Sequence, residues 1–190
     1  MSHKNKILTL LPYEDPLLRV KAQRVEFPLS DETKELIENM LYSVEESQLK
    51  AAEAPWPSAA GMAAPQWGVS KQIFVIRRKF LKNNDTSKSD IFAGGTNDFA
   101  VVINPEYSAL DHDDTEEEAI EGCFSVPRKS GVVRRYKKIK VKFQTPNNEE
   151  EHELFLEGWP ARVFQHETDH VQGRLYDDPS AGRCSKLMNV

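Results

Sequence analysis

The sequence predicts one domain that carries both helices and strands, and three observations point to it. Apolar residues recur at helical spacing after Ser30 and again from Trp159 to Gln172. Between these helices lie short continuous or alternating apolar runs of the strand type, the last two joined as a hairpin. A chain of 190 residues is long enough for one domain with a real core and short for two, so 1–190 is read as a single domain.

The elements follow in order. Lys6 to Leu11 is a short apolar run of strand character, and Asp15-Pro16 signals a turn. Ser30 before Asp31 and Glu32 is an N-cap with acids in the first turn, so a helix is expected over Asp31 to Glu46 with Leu36, Ile37, Met40, Leu41 and Val44 inward. Lys50 to Ser58 carries Pro55 and Pro57 around Trp56 and reads as a loop. Ala59 to Ser70 is rich in small residues, which allow close backbone approach. Gln72 to Arg77 is a buried-type strand, Lys79 to Asn97 a long surface loop, and Phe99 to Ile103 a strand ended by Asn104-Pro105. The acidic run Asp111 to Glu118 reads as a solvated face, and Glu121 to Pro127 as turn-like. Val132 to Phe143 leads into an alternating strand, with Glu153 to Leu156 returning after a turn at Pro146-Asn147-Asn148. Pro160 in the first turn and Gly173 beyond the last frame the second helix. The polar tail from Asp177 is expected to fray.

Composition narrows the class. Hydrophobic residues at 39% and charged residues at 29% describe a globular protein, and a net charge of −5 argues against a dedicated nucleic-acid binder. No run approaches the ~20 apolar residues of a membrane span, and the Ile7 to Leu11 run is too short for a signal-peptide core. A cytoplasmic location and free thiols at Cys123 and Cys184 follow as expectations.

The chemistry centres on Gln165-His166-Glu167-Thr168-Asp169-His170, which reads HExxH. On a helix, His166 and His170 sit one turn apart on one face, and Glu167 lies about 100° further round at roughly 3.6 residues per turn. Two imidazoles can then hold one metal ion with a carboxylate beside it as a base. An ordinary exposed face is the alternative for so short a motif. Cys123 could supply a thiolate ligand or be an inert buried thiol. The Gln66 amide could donate to developing negative charge or cap backbone groups in a tight turn.

Three stretches in fixed order carry a resemblance. Ala59 to Gln66 stands against the pattern GxGxAAxQ, Glu121-Gly122-Cys123-Phe124-Ser125 against EGCxS, and Gln165 to Leu175 against QHExDHxxGxL. Asp15-Pro16-Leu17-Leu18-Arg19 resembles a further DPxLR stretch. With these motifs the chain resembles the peptide deformylase family from about Ile7 to Asp178. The resemblance implies an α+β fold, with mixed or antiparallel strands wrapped around a central helix that carries HExxH. It implies one divalent ion held by Cys123, His166 and His170, with Fe2+ the ion usually assigned and Zn2+, Ni2+ or Co2+ as other occupants. The implied reaction removes formate from N-formyl-methionyl peptides, with Glu167 as general base and acid and Gln66 and the Phe124 backbone N–H as oxyanion donors. Gly61, Ala60, Trp159, Arg162 and Val163 match the substrate-binding positions. N-formylated peptides are the implied partner, with the ribosome as their source and a monomer as the expected state.

The departures fall around the substrate rather than the metal. Ala59 replaces the family's glycine, Ala60 is smaller than the usual branched residue, and Trp159 is bulkier than its counterpart. Arg162 stands where an apolar residue usually lines the methionine pocket; it either reshapes that pocket or snorkels outward. Glu121 and Arg135 are expected to pair, and Cys184 is not expected to be a ligand. Two rival readings are another kind of metalloprotease or amidase and a non-catalytic binding protein. A cysteine third ligand argues against the first, and the presence of Glu167 and Gln66 against the second.

Overall fold

The computed structural model describes residues 5–81, 95–96, 98–110, 115–179 and 183–189. It is an α+β fold with two antiparallel sheets and few helices. Helix α1 spans Asp31–Ser43, α2 Glu46–Ala51 and α3 Trp159–Val171. The strands are β1 Gly61–Ala63, β2 Ile73–Arg77, β3 Phe99–Ala109, β4 Glu116–Cys123, β5 Val126–Tyr136, β6 Lys138–Thr145, β7 Asn148–Glu157 and β8 Cys184–Asn189. One sheet runs β1-β2-β3-β6-β7 and the other β4-β5-β8.

The unbroken apolar run of β2 reflects burial on both faces. Phe74 and Ile76 join a core with Ala100, Val102, Val141 and, from α3, Val163 and Phe164. Ile73 and Val75 face the other way, against Ile37 and Met40 of α1. Strand β6 alternates instead, because only one of its faces is covered: Ile139, Val141 and Phe143 are buried, and the intervening lysines reach acids of β7, Lys140 to Glu153 and Lys142 to Glu151, each at 2.8 Å.

Helix α1 begins where Ser30 predicts, its Oγ accepting from the Thr33 N–H at 3.2 Å. It ends at Ser43 rather than Glu46, and the chain restarts as α2, whose last two residues, Lys50 and Ala51, fall in the stretch read as a loop. The Ser43 hydroxyl donates back to the Asn39 carbonyl at 2.7 Å and accepts from the Leu8 N–H at 2.9 Å. The same tether explains why Lys6 to Leu11 is not a strand. Its N–H groups go to the Asn39 side chain, to Ser43 and to the Gln66 carbonyl, not to a ladder.

Strand β3 extends beyond its expected bound, and β4 and β8 form where no strand is expected. Asn104-Pro105 does not end β3; it makes a bulge between Ile103 and Glu106, with Asn104 at φ 53°. The Asn104 amide then mimics a strand neighbour, accepting from the Val25 N–H at 2.8 Å and donating to the Val25 carbonyl at 2.9 Å. The stretch Glu121 to Cys123 is the end of β4 rather than a turn, and the turn is the pair Phe124-Ser125 between Cys123 and Val126. The tail does not fray where it is described. Cys184–Asn189 pairs with β5, holding its place through backbone bonds while most of its side chains stay in solvent. Of the expected loop Lys79 to Asn97, residues 79–80 lie in a 3-10 turn, and 82–94 and 97 lie outside the described residues, as do 111–114 of the acidic run. No helix among the described residues is long and apolar enough to cross a membrane.

Candidate active site

Helix α3 packs on β1, β2, β3 and β7 of one sheet and on β5 of the other. Gln165 fixes its rotation. The Gln165 amide is fully buried, accepts from the Tyr136 N–H at 3.1 Å and donates to the Tyr136 carbonyl at 2.8 Å, pinning the helix to the end of β5. His166 and His170 then face the end of β4, where the hairpin turn presents Cys123. The thiol lies 3.2 Å from His170 Nε2, and one ligand atom each of Cys123, His166 and His170 lie within 4.8 Å of one another. His166 Nδ1 is bonded to Glu121 Oε2 at 2.9 Å, which leaves Nε2 for a ligand role.

One soft thiolate and two imidazoles suit Zn2+ or Fe2+. Burial holds the His170 imidazole well below its usual pKa, and a neutral ring is the form that ligates. The Ser125 N–H adds a bond to the Cys123 sulfur at 3.4 Å. The residues present fit a single divalent ion.

Glu167 lies beside this cluster with 4% exposure, and its Oε2 has no hydrogen-bond partner among the described residues. Burial, with the negative charge of Glu121 adding to it, pushes the Glu167 carboxyl up to about 7. Its seat is made by Gly61 of β1, where an added Cβ would stand 2.7 Å from Glu167 Cγ and 2.8 Å from Oε1. Gly61→Ala is therefore expected to displace the carboxylate and to lower kcat by about 10²-fold with metal content unchanged. Comparing formate release and metal per protein in the two forms checks this; an unchanged kcat would contradict it.

Gln66 caps a backbone group and also faces the metal-ligand cluster. Its Oε1 accepts from the Ala63 N–H at 2.8 Å, which turns Nε2 toward Ser125 Oγ at 3.1 Å and the Cys123 sulfur at 3.7 Å. Ala59 carries no left-handed backbone, so alanine there is unstrained; its carbonyl accepts from Arg77 Nε at 2.8 Å.

A cavity of about 560 Å³ opens beside these groups. Ala60, Gly61, Phe124, Trp159, Arg162 and Val163 all line it, so the structure brings together every substrate-side residue named from sequence. Trp159 is half exposed at 49%, while Val163 is buried. Arg162 does not snorkel outward: it is 2% exposed. Its Nη1 donates to Glu121 Oε1 at 2.7 Å and the Val133 carbonyl at 2.8 Å, and its Nη2 to the Glu117 carbonyl at 2.7 Å.

Three residues at the site had no role assigned from sequence. Trp56 lines the cavity and covers Gly122, where an added Cβ would meet its ring at 2.8 Å; the glycine of EGCxS was the available signal. Ser125 belongs to the same motif, and its Oγ accepts from Gln66 Nε2. Asp169 is buried and accepts from Arg135 Nη1. Arg135 also forks onto both oxygens of Glu121 at 3.0 Å, so the expected pair forms. Although burial pushes Glu121 up, its bond to His166 and the charge of Arg135 outweigh that and hold it well below the usual carboxylate range. Cys184 lies on β8, outside the metal-ligand cluster.

A cysteine, two histidines and a buried glutamate clustered beside one cavity suit a metal-dependent hydrolase. The family model for polypeptide deformylase matches residues 7–185. The peptide deformylase of Halalkalibacterium halodurans is 36% identical over 171 residues, covering 88% of this chain and 87% of that protein. That of Limosilactobacillus reuteri is 36% identical over 174 residues, covering 86% and 84%. Among solved structures, peptide deformylase from Thermotoga maritima is 32% identical with a TM-score of 0.68, over 96% of this chain and 100% of that one. The class I type b enzyme of Acinetobacter baumannii with Met-Ala-Ser bound is 27% identical with a TM-score of 0.66, over 91% and 98%. The chain belongs to the polypeptide deformylase family. Its activity is hydrolytic removal of the N-formyl group from the N-terminal formyl-methionine of peptides, releasing formate, and the family uses a single metal ion.

Proposed function

We propose that Cys123, His166 and His170 hold the ion, with Fe2+ as the cellular occupant and Zn2+, Ni2+ or Co2+ as substitutes. When bound, the ion supplies Lewis acidity that makes water nucleophilic near neutral pH. Glu167 takes the proton of the attacking water and passes it to the leaving amine, a role that suits a buried carboxyl held near neutrality. Gln66 Nε2 and the Phe124 backbone N–H donate to the oxyanion that forms at the formyl carbon. The observation that carries this reading is the Cys123, His166 and His170 cluster with Glu167 seated against Gly61 beside it.

The peptide lies in the cavity. The Acinetobacter baumannii enzyme holds Met-Ala-Ser, and that supports an N-terminal peptide as the ligand here. Gly61, Ala60, Trp159 and Val163 form the side-chain pocket, with Arg162 contributing its stem because both terminal nitrogens are already bonded. The small Ala60 and bulky Trp159 reshape this pocket relative to the family pattern. Helix α3 serves as the central element of a single domain over 1–190, acting in the cytoplasm as a monomer on peptides delivered from the ribosome.

Formate release from a formyl-Met tripeptide, measured beside metal per protein, tests the reading. Turnover that follows the metal and disappears with a chelator is expected. Turnover on unformylated peptides instead would favour a peptidase.

A further inference from the structure

Glu121 is saturated. A carboxylate has about four acceptor sites, and here all are filled: Arg135 Nε and Arg162 Nη1 on Oε1 at 3.0 and 2.7 Å, Arg135 Nη2 and His166 Nδ1 on Oε2 at 3.0 and 2.9 Å. The Glu121 side chain is 4% exposed, so water has little access to replace a lost partner. Arg162 has a second property. It leaves the first turn of α3 and bonds the Glu117 carbonyl of β4 and the Val133 carbonyl of β5. Helix α3 carries His166 and His170, and β4 carries Cys123. The Arg162 guanidinium therefore ties together the two elements that bring the ligand atoms into one cluster.

We infer that Arg162 is a positioning residue for the metal centre, which fixes Glu121 against His166 and sets the spacing between α3 and β4. This rests on the proposed ligand set of Cys123, His166 and His170. Two features set the role apart from simple burial of a long side chain. All three acceptors belong to the sheet that carries Cys123, and one of them is the carboxylate that orients His166. Partners that orient a ligating histidine typically contribute 10- to 100-fold to metal affinity. Arg162 acts one bond further out, through Glu121.

The test is a Co2+ titration against a competing chelator, read by the cobalt–thiolate absorption, on the full chain. Wild type, Arg162→Met, Arg162→Lys, Glu121→Gln and the Arg162→Met/Glu121→Gln pair are compared. Arg162→Met is expected to weaken Co2+ binding by roughly 10- to 100-fold, with Arg162→Lys recovering part of the loss. The paired variant is expected to lose clearly less than the product of the two single losses, since both substitutions break the Arg162–Glu121 linkage. Arg162→Met binding Co2+ as tightly as wild type, or losses that simply add in the pair, would overturn the inference. If Arg162→Met does not fold, Arg162→Lys decides: weakened binding supports the role and unchanged binding overturns it. Cys123→Ala and His170→Ala separate the two layers. If they bind Co2+ like wild type, the ligand set itself is wrong and this inference falls with it.

Discussion

Glu167→Ala is expected to bind one equivalent of metal and to lose about 10²–10⁴-fold in kcat, the usual contribution of a positioned acid–base group. The carboxylate touches no other described side chain that could take over. Its Oε2 is buried and without a hydrogen-bond partner among the described residues, and Glu121, whose charge acts on it, is saturated by two arginines and His166. Removing it also removes the group that fits against Gly61, so the small space left there can admit water. Metal content separates this prediction from a general collapse of the site. A variant with full metal and near-normal turnover would take Glu167 out of the proton transfer.

Arg135→Leu is expected to have the largest effect on stability. Arg135 is 1% exposed and pairs with Glu121 and Asp169, which are 4% and 5% exposed. Removing the cation takes two of the four bonds from Glu121, which keeps Arg162 and His166, and leaves Asp169 with Arg174, whose Nη2 lies 3.4 Å away and whose side chain is 42% exposed. Breaking one side of a buried pair typically costs 3–5 kcal/mol, against a total of about 5–15 kcal/mol for a domain. Urea unfolding at fixed metal concentration measures this. A midpoint shift worth less than about 1 kcal/mol, in the range of an exposed ion pair, would contradict the account.

Much of this was legible in the sequence because it is local. Ser30 capped its helix, the β6 lysines marked a one-sided strand, and the i, i+4 histidines fell on one face of α3. The union of Cys123 with that helix was not local. It came from the resemblance, and the fold shows how the antiparallel β4–β5 hairpin brings Cys123 to α3. The failures have physical reasons. Lys6 to Leu11 looked like a strand because apolar composition does not reveal that its N–H groups bond side chains of α1. Cys184–Asn189 looked disordered because an edge strand held by backbone bonds carries no apolar pattern. Arg162 looked like a pocket wall or a surface residue because its partners, at Glu117, Glu121 and Val133, lie 45, 41 and 29 positions away.

The central claim is that one ion, held by Cys123, His166 and His170, and one base, Glu167, carry out deformylation. Its most direct test is single-turnover formate release from a formyl-Met peptide by enzyme loaded with Fe2+ or Co2+ to known stoichiometry, for wild type, Cys123→Ala and Glu167→Ala in parallel. The account predicts turnover proportional to bound metal in wild type, no metal and no formate with Cys123→Ala, and full metal with almost no formate with Glu167→Ala. Formate released by metal-free Cys123→Ala at the wild-type rate would contradict it.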